Sequence, residues 1–67
     1  MIKVGIIGYG YWGPNLVRNF STAEGSQVEM VCDMNQQALK KVRKTYPNIR
    51  VTTDFNDLIK DPVIDVV

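Results

Sequence analysis

Three glycines, Gly8, Gly10 and Gly13, are spaced G-x-G-x-x-G directly after the apolar run Ile2 to Ile7 and directly before Pro14-Asn15-Leu16-Val17-Arg18-Asn19-Phe20. Glycines at this spacing hand the chemistry to the backbone. The first permits a tight turn, the second lets the main chain approach a pyrophosphate, and the third lets a helix pack closely on a strand. A helix that starts there presents unpaired N–H groups and a partial positive charge to the anion. Twenty residues beyond Gly13, Asp33 ends a second apolar run, Val28-Glu29-Met30-Val31-Cys32. A carboxylate at that point can accept hydrogen bonds from the hydroxyls of an adenosine ribose. Three glycines in six positions also arise in purely structural loops; the strand, turn, helix and acid in this order are what point to a dinucleotide.

Asp33 bears on which dinucleotide. Its charge repels the extra 2′-phosphate of NADP, and Met34 and Asn35 follow it rather than an Arg, so the expected cofactor is NAD, with NADP second. Asp33 can also cap the following helix, a role compatible with ribose binding. Met34 either lies against the adenine or is an exposed turn residue. Tyr9, Tyr11 and Trp12 are bulky for a phosphate turn, and only their backbone N–H groups are needed by the anion. Trp12 either reaches toward the nicotinamide end or a second domain, or packs within the chain; for Tyr9 packing is favoured. The candidate cofactor contacts are therefore Gly8, Tyr9, Gly10, Tyr11, Trp12, Gly13, Asp33 and Met34. Arg18 can assist the phosphate, although a surface ion pair is the plainer expectation.

The elements that position these residues alternate along the chain. Ile2 to Ile7 is a first strand, apolar on both faces apart from Lys3, as a central parallel strand is. Gly13, Leu16, Val17 and Phe20 form the apolar stripe of a first helix, and Ser21 to Ser26 form a loop. Val28 to Cys32 is a second strand. Asn35 is placed to cap a second helix burying Ala38, Leu39, Val42 and Tyr46, which Pro47 stops; Lys40, Lys41, Arg43 and Lys44 read as its solvated face. Ile49 to Thr52 is a short strand near an edge. Asp54 caps a brief helix with Phe55, Leu58 and Ile59 on one side, and Val63 to Val67 begins a further strand. The order β-α-β-α-β-α-β implies an α/β fold, a Rossmann-type parallel sheet with helices on both faces and strand order 3-2-1-4. Its ligand site lies outside the strand C-terminal ends.

With 67 residues the chain is at most one small domain, and a domain of that size buries only about 60% of its unfolded surface. It is expected to be the N-terminal portion, 1–67, of a dinucleotide-binding domain. Its one cysteine, Cys32, permits no internal disulfide and reads as a small buried hydrophobe. Eight Lys and Arg against seven Asp and Glu give a net charge of +1, which suggests neither a nucleic-acid partner nor an anionic membrane. No apolar run has the form of a signal peptide or a membrane span, so a cytoplasmic location is expected. There is no His, and no pair of residues has metal-ligand spacing. Cofactor recognition is legible; catalytic and metal residues are not.

The run Val4-Gly5-Ile6-Ile7-Gly8-Tyr9-Gly10-Tyr11-Trp12-Gly13-Pro14-Asn15-Leu16, with Cys32-Asp33 and the closing Asp65-Val66-Val67, resembles the N-terminal part of the Gfo/Idh/MocA oxidoreductases. Trp12 to Asn15, Tyr46-Pro47 and Thr53-Asp54 look like one branch of that family. The resemblance implies hydride transfer between NAD or NADP and a hydroxyl of a sugar, cyclitol or nucleotide-sugar. It also implies a second, β-rich domain that supplies the pocket and the interface of a homo-oligomer, together with a Glu-Lys-Pro lysine and a later acid-base residue, which this sequence does not contain. The 67 residues alone are therefore expected to be inactive. A non-catalytic NAD(H) sensor uses the same corner and is the alternative. A methyltransferase binding S-adenosylmethionine fits less well, because Gly5, Ile6 and Ile7 stand where its acidic residue is usual.

Overall fold

The structure, a computed structural model, describes residues 1–10 and 13–67. The elements are β1 (Ile2–Ile7), α1 (Gly13–Thr22), β2 (Ser26–Cys32), α2 (Gln36–Thr45), β3 (Arg50–Thr52) and α3 (Phe55–Lys60). β2 lies between β1 and β3, and both pairings are parallel. On the opposite edge of β1, Val66 makes one parallel bridge to Val4, with the Gly5 N–H donating to the Val66 carbonyl at 2.8 Å.

This order places the helices. The steps from β1 to β2 and from β2 to β3 run in one direction, and right-handed crossovers then put α1 and α2 on the same face. The return from β3 to Val66 runs the other way, so α3 falls on the opposite face. The core divides accordingly. Val17, Leu39 and Val42 pack with Val4, Ile6, Val28 and Val31, whereas Leu58 packs with Met30 and Cys32. A bulge makes that division possible: Val4 pairs with Val28 but Gly5 pairs with Met30, so the extra residue in β2 reverses its alternation. Gly5 faces α3. A Cβ there would stand 2.8 Å from Leu58 Cγ, so the missing side chain is what lets α3 lie close to β1.

Several boundaries depart from the sequence expectations. α1 continues through Thr22, whose Oγ1 donates to the Arg18 carbonyl at 3.0 Å, and β2 starts at Ser26 because Ser26 and Gln27 pair with Ile2 and Lys3. Of the α1 stripe, Gly13 and Val17 are buried, but Leu16 and Phe20 are 42% and 39% exposed. In α3 only Leu58 is buried; Phe55 and Ile59 are exposed. β3 begins at Arg50 rather than Ile49. The strand expected over Val63 to Val67 is reduced to the Val66 bridge. Asp61 turns the chain first, its carboxylate accepting from the Val63 N–H at 2.9 Å and its carbonyl from the Ile64 N–H at 3.3 Å. Among the described residues no helix is long and apolar enough to cross a membrane.

Candidate cofactor site

The C-terminal ends of the three strands share one rim, and the glycine turn leaves β1 there. Gly8 has φ +93°, a conformation L side chains rarely adopt, and its N–H donates to the Cys32 carbonyl at 2.7 Å. The Tyr9 N–H donates to Asp33 Oδ2 at 2.7 Å, and its side chain is buried beneath the turn. Gly13 opens α1. A Cβ on it would stand 2.9 Å from the Gly8 carbonyl oxygen and 3.2 Å from Tyr9 Cβ. At Gly10 the reverse holds, because among the described residues nothing lies within 4 Å of the Cβ position. The turn is thus closed on its protein side and open at Gly10. Tyr11 and Trp12 lie outside the described residues, and with them the expectations for their N–H groups and for the reach of Trp12.

Asp33 follows β2, and its own N–H continues the sheet by donating to the Thr52 carbonyl at 3.1 Å. Besides the Tyr9 bond, its Oδ1 accepts from the Asn35 N–H at 2.8 Å, an Asx turn. It is not the cap of α2. Asn35 takes that place, with φ −89° and its side chain accepting from the Gln37 N–H. The sequence expectation counted the Tyr9 N–H among the anion's donors; in the structure that N–H is spent on Asp33, and the Gly8 N–H on Cys32. Neither of these two N–H groups is left over for an anion. A carboxylate has about four lone-pair directions, so Asp33 can accept further hydrogen bonds beyond its two backbone donors.

Beside Asp33 is a cleft of about 240 Å³ lined by Ile7, Gly8, Cys32, Met34, Thr53 and Phe55 as well as Asp33 itself. Met34 is 84% exposed and Phe55 half-exposed, so two large apolar side chains stand at its mouth. Sequence reasoning missed Thr53 and Phe55. The signal was available for Thr53, which directly follows β3 and so shares the rim with Asp33; Phe55 comes later, as the first residue of α3. Burial raises the Cys32 thiol above its ordinary 9.0, with Asp33, Asp54 and Asp57 adding to the rise, so the thiol stays protonated near neutral pH. Burial likewise raises the Tyr9 phenol, with a smaller push from Tyr46. With both groups held protonated near neutral pH, neither the Cys32 thiol nor the Tyr9 phenol is poised as a base there. Arg18 donates to Asn15 Oδ1 at 3.1 Å rather than joining an acid in the expected ion pair.

Residues 2–67 match the Gfo/Idh/MocA family, described as an oxidoreductase family with an NAD-binding Rossmann fold. The chain is 37% identical over 67 residues to inositol 2-dehydrogenase 2 of Paenarthrobacter aurescens (strain TC1), covering 98% of this chain and 20% of that protein. It is 35% identical over 77 residues to a glycosyl hydrolase family 109 protein of Solibacter usitatus (strain Ellin6076), covering 98% of this chain and 18% of that one. The crystal structure of scyllo-inositol dehydrogenase from Lactobacillus casei, with bound NAD(H) and scyllo-inositol, superposes with a TM-score of 0.85 at 25% identity over 100% of this chain and 21% of its own. The chain therefore spans about a fifth of the length of these relatives. By the match over residues 2–67 and these likenesses, the chain belongs to the Gfo/Idh/MocA oxidoreductase family, with its NAD-binding Rossmann fold.

Proposed function

We propose that the chain forms the cofactor-holding corner of an NAD-dependent dehydrogenase acting on a hydroxyl of a sugar, cyclitol or nucleotide-sugar. The observation that carries this reading is the placement of Asp33 on the rim of the glycine turn, 2.7 Å from the Tyr9 N–H. The corner fits a dinucleotide. Gly10 leaves the backbone open to a pyrophosphate, Gly13 brings the α1 N-terminus against the turn, and the cleft between Met34 and Phe55 offers apolar walls to an adenine. The spare lone pairs of Asp33 would accept from the ribose hydroxyls of a bound dinucleotide, and its negative charge would disfavour a 2′-phosphate at the same place. Hydride transfer at the nicotinamide is chemistry that the cofactor supplies when bound. This chain's residues bind and orient it; proton transfer to and from the substrate falls to groups outside these 67 residues.

The substrate class is supported by the relatives named as inositol dehydrogenases. A relative of near-equal identity is named a glycosyl hydrolase, so net production of NADH is the activity that decides for a dehydrogenase. The cofactor reading is tested by titrating the purified protein with NAD and with NADP, before and after Asp33→Asn. NAD is expected to bind more tightly. A lost charge-assisted hydrogen bond of about 1.5–3 kcal/mol corresponds to roughly a tenfold to hundredfold loss of NAD affinity relative to NADP, which has no such ribose bond to lose. An unchanged ratio of the two affinities would overturn the ribose assignment.

A further inference from the structure

We infer that Asp33 is also a positioning residue for the anion-binding turn, so that it governs pyrophosphate affinity independently of any contact with ribose; this rests on the cofactor reading above. The first half of the turn has two amide anchors on the end of β2. Gly8 N–H is held by the Cys32 carbonyl at 2.7 Å, a main-chain bond that no side-chain replacement at position 33 removes. Tyr9 N–H is held by Asp33 Oδ2, also at 2.7 Å, and this anchor is a side chain. The same carboxylate takes the Asn35 N–H on Oδ1, so it ties the turn after β1 to the start of the loop after β2. Two backbone donors, one at each oxygen, need an acceptor at both ends of one planar group. An asparagine supplies only one, and its NH2 would face an N–H donor.

The consequence follows from where the turn is fixed and where it is open. The Tyr9 ring is buried below and packs where Gly13 passes, while Gly10 is exposed. With the Tyr9 N–H anchored, the chain leaves Tyr9 in one direction and brings Gly10 to the rim. Released from Asp33, the Tyr9 N–H must find another acceptor, and Gly10 is no longer held in one place. An anion then binds only the fraction of molecules in the competent turn, and its apparent affinity drops by that fraction. Ribose recognition and phosphate recognition are thereby coupled through one side chain.

The test compares ADP with 2′,3′-dideoxy-ADP, which has no ribose hydroxyls for Asp33 to contact, on the unaltered protein, Asp33→Asn and Asp33→Ala. Both variants are expected to bind dideoxy-ADP about fivefold to tenfold more weakly than the unaltered protein. Amide hydrogen exchange without ligand supplies a readout that needs no nucleotide. Protection of the Tyr9 amide should fall in both variants while that of Gly8 persists. Equal binding of dideoxy-ADP to all three proteins, or unchanged Tyr9 protection in a folded variant, would overturn the positioning role and leave the ribose contact standing. Failure of the unaltered protein to bind either nucleotide would instead remove the cofactor reading, and this inference with it.

Discussion

Replacing Gly13 by Ala adds one methyl group at the point where α1 meets the glycine turn. The new Cβ would lie 2.9 Å from the Gly8 carbonyl oxygen, 3.2 Å from Tyr9 Cβ and 3.3 Å from Tyr9 Cδ1. None of these atoms is the free end of a flexible side chain. Gly8 sits at φ +93° with its N–H fixed on Cys32, and Tyr9 is held by its buried ring and by Asp33. Overpacking of this kind costs about 1–3 kcal/mol, and the better helix propensity of Ala returns up to about 1 kcal/mol. The 2.9 Å contact is with a backbone oxygen, which puts the cost in the upper part of that range, about 2–3 kcal/mol, so the net expectation is a loss of about 1–2 kcal/mol, at about 4–8 °C of melting temperature per kcal/mol for a domain of this size. Thermal denaturation followed by circular dichroism, repeated in urea, reads the change. A variant as stable as the original would show that the turn yields to the methyl group, and the anchoring by Cys32 and Asp33 would lose its force.

Three other outcomes are expected. Gly10→Ala should leave stability within about 0.5 kcal/mol, because among the described residues its Cβ meets nothing within 4 Å, yet it should weaken NAD binding in calorimetric titration by occupying the phosphate's approach. Asp61 is held below the ordinary 3.8 chiefly by the Val63 N–H and next by Arg50, whose Nη2 is 2.6 Å away. Its folded pKa being depressed, the stability it contributes is present above pH 3.8 and is lost as pH falls through the folded value. Arg50→Gln should therefore flatten, without abolishing, the acid-side fall in the urea midpoint, and an unaltered slope would contradict the pairing. Cys32 should react with a thiol reagent at pH 8 far more slowly in the native protein than in urea, since burial first and the neighbouring acids next raise its pKa.

Much of this arrangement was written in local chemistry. The G-x-G-x-x-G spacing, the acid at the end of β2, the Asn35 and Asp54 caps and the stop at Pro47 are all short-range signals; the two caps and the end of α2 stand where they were expected, and Gly8 takes the positive φ of a tight turn. What escaped depends on distant partners. No local pattern shows the β2 bulge, because Val28, Met30 and Cys32 look like one alternating face until pairing with β1 divides them. Leu16 and Phe20 carry a helical apolar period but stand beside the open edge of β1 with Ile2, Ile7 and Val66, so periodicity alone overstated their burial. The Asp33 bond to Tyr9 spans 24 positions and uses a backbone donor, which leaves no mark on residue type. Phe55 at the cleft became visible only once β3 placed the loop after it on the common rim.

The central claim is that the nucleotide sits on this rim. Amide proton–nitrogen NMR during titration of the purified protein with NAD tests it most directly. Saturable shifts are expected at Gly8, Tyr9, Gly10, Gly13, Asp33, Met34 and Phe55, with little change along the groove at the β3 edge formed by Arg43, Asn48 and Lys60. Shifts concentrated on that β3 groove, or no saturable shifts at the glycine turn, would contradict it.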